Sequence, residues 1–116
     1  MLKLHNTYSN TVEEFKPNSD SVKIYLCGPT VQSSPHIGHG RSAVVFDFLI
    51  RYLVFLDYEV NFVRNITDIE DKIIERAAEE GITTKELADR VTKEFQDAYK
   101  SLNCYHQIMN PRLLRL

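Results

Sequence analysis

Residues whose side chains do chemistry cluster early in the chain. Cys27-Gly28-Pro29-Thr30 is followed, six residues after Thr30, by His36-Ile37-Gly38-His39. A β-branched run, Val22-Lys23-Ile24-Tyr25-Leu26, leads in, and a long amphipathic helix pattern leads out. A thiol at a strand end and two histidines at the next helix start suit a nucleotide phosphate held beside a soft-ligand site. A helix N-terminus carries unpaired N–H groups and partial positive charge, so it attracts anions. His36 and His39, three apart, share a helix face, and both can donate hydrogen bonds that strengthen as charge builds on a phosphate. Gly38 leaves backbone open for a flat base or ribose. The competing reading is two exposed histidines at a helix start, because short motifs match by chance.

Cys27 is either a buried core thiol or a functional group at the end of its strand. Zinc needs four ligands, usually Cys or His. His5, Cys104 and His106 are further ligands only by count, so spacing alone establishes no zinc site. Thr67 suits a helix N-cap and is also placed to touch a small ligand. Asp68, Glu70, Asp71 and Lys72 crowd the same helix start, where acids favour the helix dipole. Arg41 and Arg64 either face a phosphate or pair with surface carboxylates.

The elements that must position these residues follow from periodicity. Residues 2–6 alternate as a short strand, and Thr7 to Asp20 reads as a polar connection anchored by Phe15. Residues 22–27 read as a buried strand. Ser34 is a good N-cap with Pro35 at the first helical position. The helix runs to about Leu56, with Val44, Val45, Phe48, Leu49, Tyr52, Leu53 and Leu56 as its apolar stripe. Residues 59–64 alternate as a second strand. Thr67 to Glu70 and Thr83 to Glu86 are capping-box patterns opening two more helices, and Gly81 stops the first of them. Ile69, Ile73 and Ala77 fall on one face of the first, and Leu87, Val91, Phe95, Ala98 and Leu102 on one stripe of the second. From Cys104 to Leu116 the pattern dissolves.

A strand–helix–strand unit of this length makes two parallel strands with a right-handed crossover. Ligands of open α/β sheets sit beyond the carboxyl ends of the strands. Cys27, His36, His39 and Thr67 are therefore expected at one edge.

The bulk numbers bound the partners. The 116 residues suffice for one domain, and 43% hydrophobic with 26% charged residues is ordinary for a globular chain. A net charge of −2 gives no basic field to draw in nucleic acid. No long apolar run or leader suggests a membrane or export. Two distant cysteines without C-x-x-C fit a reducing, cytoplasmic location.

The motifs together resemble a known family. Cys27 to Val31, His36 to Arg41, Phe46-Asp47, Arg51 to Leu53 and Val63 to Ile74 look like the amino-terminal part of cysteinyl-tRNA synthetase, over residues 1 to about 104. The resemblance implies an α/β, Rossmann-like parallel-sheet nucleotide-binding domain, present as its amino-terminal half. It divides the chain into residues 1–104, belonging to the class I synthetase catalytic domain, and a divergent tail, 105–116, that keeps only Asn110-Pro111-Arg112 of the expected continuation.

It also implies ATP-dependent activation of cysteine to cysteinyl-adenylate, with magnesium accompanying the ATP, then transfer to the tRNA for cysteine. His36 and His39 match the family's catalytic histidines. Pro29, Thr30, His36, Gly38 and His39 match its ATP site. Gly28 and Thr67 match positions touching the cysteine substrate. Cys27 matches a ligand of a zinc ion whose other ligands are expected outside this chain. A soft thiolate on zinc is a bond that serine cannot imitate. Gln32-Ser33 stand where many members carry Tyr-Asp, Asp57 where glycine is frequent, and Glu75 where the family's Lys-Ile-Ile-Lys segment ends in lysine. The chain alone is expected to be inactive.

Two other readings compete: the mycothiol-pathway ligase, which joins cysteine to an aminosugar, and a non-catalytic nucleotide-binding or association module. The last would self-associate through an exposed sheet edge.

Overall fold

The structure is a computed structural model that describes residues 1–104. The tail 105–116, with His106 in it, lies outside the described residues. Two strands open the chain, β1 (Lys3–Asn6) and β2 (Thr11–Glu14), paired antiparallel as a hairpin. The segment expected to be a polar connection therefore contains a strand. Thr11-Val12-Glu13-Glu14 has one apolar residue and gives no periodic signal, because every residue of the hairpin is exposed. Phe15 is the expected anchor: its N–H donates to the Leu2 carbonyl at 2.8 Å and its ring meets Tyr58 edge-on at 6.3 Å.

The centre is a strand, a helix and a strand: β3 (Ser21–Leu26), α1 (Ile37–Phe55) and β4 (Glu59–Arg64). β3 and β4 are parallel, in register from Ser21 opposite Glu59 to Leu26 opposite Arg64. Both strands therefore end at the same edge. Two further helices follow, α2 (Asp71–Glu80) and α3 (Thr84–Ser101).

The helix ends show local chemistry at work. Thr83 caps α3 as expected: its hydroxyl accepts from the Glu86 N–H at 3.1 Å, and the Glu86 carboxylate accepts from the Thr83 N–H at 2.8 Å. Gly81 ends α2 in the left-handed region at φ 69°. Two expected caps are different. Ser34 and Pro35 lie ahead of α1, whose N-cap is His36. Thr67 does not cap α2. It pairs with Thr30 in a parallel bridge, and α2 begins four residues later behind Glu70, whose side chain makes no cap bond.

The core lies between α2, α3 and the loops after β3 and β4. Val31, Ala43, Ile66, Ile73, Ala77, Leu87, Val91, Phe95 and Tyr99 are buried in it. Each large apolar side chain there contributes about 1.5–3 kcal/mol. Tyr99 replaces the expected Ala98 and Leu102 at the end of the α3 stripe, and Leu102 is exposed. Ile69, expected on the α2 face, lies before that helix and is exposed.

The α1 stripe is also corrected. Ala43, Asp47, Ile50 and Leu53 are its buried residues, while Val44, Val45, Phe48 and Leu56 are exposed. The helix is apolar almost all round, so periodicity does not choose its inner face. The two described strands of its sheet cover one side only.

Candidate functional site

At the end of β3 the chain turns through Cys27 and Gly28 and presses onto the end of β4. The Gly28 N–H donates to Asn65 Oδ1 at 2.6 Å. A Cβ on Gly28 would stand 1.5 Å from the Asn65 carbonyl oxygen and 3.1 Å from Arg64 Cγ, so only glycine fits. The Thr67 N–H donates to the Pro29 carbonyl at 3.1 Å, and the Val31 N–H donates to the Thr67 carbonyl at 3.1 Å. The loop 28–31 and the segment 65–67 are thereby fixed to each other, which carries Thr30 and Thr67 to the shared edge.

The histidines build the start of α1 themselves. His36 Nδ1 accepts from the Gly38 N–H at 3.1 Å, and His39 Nδ1 accepts from the His36 N–H at 3.1 Å. This is a capping box made of two imidazoles. Their ring centroids are 3.9 Å apart. Because both Nδ1 atoms accept, the proton of each neutral ring sits on Nε2. Two Nε2–H donors are thus left for a ligand. Gly38 has a role other than an open platform. A Cβ there would meet His36 Cε1 at 2.9 Å, so the missing side chain makes room for the capping ring.

His39 also meets Phe95 of α3 edge-on at 4.9 Å, which ties the site to the core. Burial lowers the His39 pKa from its ordinary value, and the nearby His36 and Arg64 lower it further. The ring is therefore kept neutral, as its acceptor role requires.

A cavity of about 210 Å³ opens at this edge. Cys27, Gly28 and Pro29 line one part, and His39 and Ser42 of α1 another. Arg64 and Tyr99 complete the lining. Cys27, Gly28, Pro29, His36 and His39 are thus gathered as expected, with Thr30 and Thr67 joined to them through backbone hydrogen bonds. Cys27 is exposed and makes no disulfide. Among the described residues no three His, Cys, Asp or Glu side chains form a metal-holding group. At this edge the described residues offer one thiol, Cys27, and do not by themselves fit a zinc ion.

Lys72 and Glu75 lie elsewhere, in a shallow groove of about 520 Å³ with Gln32, Ser33, Arg76 and Glu79. Arg64 is not on the surface and, among the described residues, pairs with no carboxylate. It is 2% exposed.

Asn65, Phe95 and Tyr99 belong to the site; the sequence places Phe95 only on the apolar stripe of α3 and Asn65 only within the Val63–Ile74 motif. A short amide just past a strand end is a signal for backbone bonding, which marks Asn65. Phe95 and Tyr99 have no local signal, because α3 is brought to the edge by tertiary packing.

A solved structure shares the fold. Mycobacterium tuberculosis methionyl-tRNA synthetase in complex with methionyl-adenylate matches 70% of the chain and 17% of its own length, with a TM-score of 0.63 and 26% identity. The fold is thus that of a class I synthetase catalytic domain, Rossmann-like and here partial.

The model of the family described as tRNA synthetases class I (C) catalytic domain matches residues 14–115, and the chain belongs to that family. Cysteine–tRNA ligase from Sodalis glossinidius is 50% identical over 113 residues, covering 97% of the chain and 25% of the relative. The ligase from Rickettsia rickettsii (strain Sheila Smith) is 50% identical over 95% of the chain and 25% of the relative. That from Acholeplasma laidlawii is 48% identical over 96% of the chain and 26% of the relative. The chain spans about a quarter of the length of these relatives. Among the described residues no helix is long and apolar enough to cross a membrane.

Proposed function

We propose that this chain forms the adenylate-forming edge of a cysteine–tRNA ligase. The observation that carries this is the paired-imidazole N-terminus of α1, at the carboxyl edge of two parallel strands, in a chain half identical to such ligases. In the reaction, the cysteine carboxylate attacks the α-phosphorus of ATP. The bond from that phosphorus to the bridging oxygen breaks, pyrophosphate leaves, and cysteinyl-adenylate forms. Attack by a hydroxyl of the cysteine tRNA on the activated carbonyl then releases AMP.

His36 and His39 would donate from Nε2 to phosphate oxygens as charge develops there. Their Nδ1 bonds hold both rings before the ligand arrives, so little orientation is lost on binding. Pro29, Thr30 and Gly38 would meet the nucleotide. Gly28 and Thr67 would meet the cysteine. Magnesium would accompany the ATP. Cys27 would serve as one zinc donor only together with ligands beyond the described residues, and no step is derived through that metal.

The test is calorimetric binding of non-hydrolysable cysteinyl- and seryl-adenylate analogues to the chain. Binding of the cysteinyl analogue, lost in H39A, supports the reading, and discrimination against the seryl analogue is expected only where the remaining zinc ligands are present. Binding of neither analogue, or binding unchanged in H39A, overturns it.

A second reading has the exposed apolar face of α1 in its favour. Val45, Phe48 and Phe55 are 55%, 72% and 79% exposed, a face that a second copy of the chain would cover. A concentration-independent monomer in sedimentation would exclude it.

A further inference from the structure

Arg64 is the last residue of β4 and lies opposite Leu26, at the edge where the histidines and Cys27 meet. It is 2% exposed, and its Nε, Nη1 and Nη2 atoms have no hydrogen-bond acceptor among the described residues. The guanidinium carbon lies 5.0 Å from the Tyr99 ring centre and 5.9 Å from that of Phe62. Cation–π contact offsets part of the burial but satisfies no N–H donor in hydrogen-bonding geometry. The Tyr99 hydroxyl lies near enough to interact with the guanidinium, but outside strict hydrogen-bond geometry. Among the described residues the buried carboxylate is Asp47, and Arg51 binds it at 2.7 Å.

An unpaired buried charge is costly, and a fold that keeps one has a use for it. Arg64 lines the cavity of about 210 Å³ together with Cys27, Pro29, His39 and Ser42. Ligand pockets for drug-sized molecules run to about 300–1,000 Å³, so this one suits a ligand of amino-acid size rather than a whole nucleotide.

We propose that Arg64 anchors an oxyanion in this cavity, and that the group it takes is the α-carboxylate of a small amino acid. The planar guanidinium presents its donors as a fork that matches two carboxylate oxygens. Gly28, pressed on the Arg64 stem, holds that fork in place: a side chain there would meet Cγ at 3.1 Å. The carboxylate would then lie between Arg64 and His39, beside the phosphate donors. This rests on the function proposed above only for which amino acid is bound. A phosphoryl group is the other oxyanion that Arg64 would accept.

The test follows the Arg64 Nε–H signal by NMR in the full chain. The probes are L-cysteine, cysteamine, which lacks the carboxylate, L-serine and inorganic phosphate. L-cysteine is expected to shift the signal saturably, with cysteamine at least about tenfold weaker, the loss expected for a hydrogen bond to a charged group. R64M is expected to weaken cysteine binding by about tenfold to a hundredfold without lowering the melting temperature, because an unpaired buried charge has been removed. R64K keeps the charge but not the fork and should bind with intermediate affinity.

Equal binding of cysteine and cysteamine, or an Arg64 signal unmoved by every probe, overturns the proposal. A response to phosphate alone overturns the carboxylate assignment. Serine binding as tightly as cysteine through Arg64 supports the carboxylate subsite, because the two amino acids share that group and differ only at the side chain that a completed zinc site would read.

Discussion

Replacing His36 by alanine and by serine separates its two roles. The His36 ring supplies the acceptor for the Gly38 N–H at 3.1 Å, and nothing else in the first turn caps that group. Loss of an N-cap acceptor costs about 1 kcal/mol, with a range of about 0.5–2. For a domain of this size that is a fall in melting temperature of roughly 4–8 °C. Serine is itself a strong N-cap, so H36S should stay within a few tenths of a kcal/mol of the parent, about 0.3. Neither variant retains an Nε2 donor, so both should lose binding of the adenylate analogue alike. Far-UV circular dichroism through thermal and urea unfolding reads the first effect, and calorimetry reads the second. The H36A/H39A double variant should show less than the sum of the single losses, because the box acts as a unit. An H36A protein as stable as the parent would refute the capping role. Stability restored by serine together with full ligand binding would refute the donor role.

Three further outcomes follow from the same geometry. G28A would force a Cβ to 1.5 Å from the Asn65 carbonyl oxygen, so the backbone must move. A loss of about 3 kcal/mol is expected in urea unfolding, and an unchanged midpoint would exclude the close approach. D57G relieves a non-glycine residue at φ 66° in the last turn after α1. A gain of about 1 kcal/mol is expected, and a destabilised variant would contradict it. Stability should also fall on acidification. The native His39 pKa lies below its ordinary value, so as pH falls through about 6.5 the unfolded chain binds a proton that the folded chain refuses. The contribution is complete above that pH and is lost down to the lower native value, below which this group adds no further loss. H39Q, which can still reach the His36 N–H as a capping-box residue, should remove that part of the pH slope. An identical slope in H39Q would assign it to other groups.

Local chemistry in the sequence determined much of this chain. The order of strand, helix and strand, with a parallel pairing, followed from periodicity and connection length. The Thr83–Glu86 box and the Gly81 stop are set by residues within four positions of each other, so no distant contact can displace them easily. The meeting of Cys27 with the histidines at one edge followed from chain order, because parallel strands end on the same side.

What only the tertiary structure decided are choices among local options of similar merit. Ser34 and His36 both offer an acceptor to a first turn. The His36 ring caps because Gly38 leaves space for it and His39 completes the box. Thr67 is a good cap by composition, but its backbone is taken by the bridge to Thr30, a partner 37 residues away. The α1 sequence is apolar on most sides, so its inner face was chosen by β4 and α3, which it meets. Alternation along β4 puts Arg64 on the face of Phe62, yet a charge at a strand end is normally solvated. Burial of that charge depends on Gly28 closing over its stem and Tyr99 over its head, contacts set by chain segments that meet only when the fold is complete.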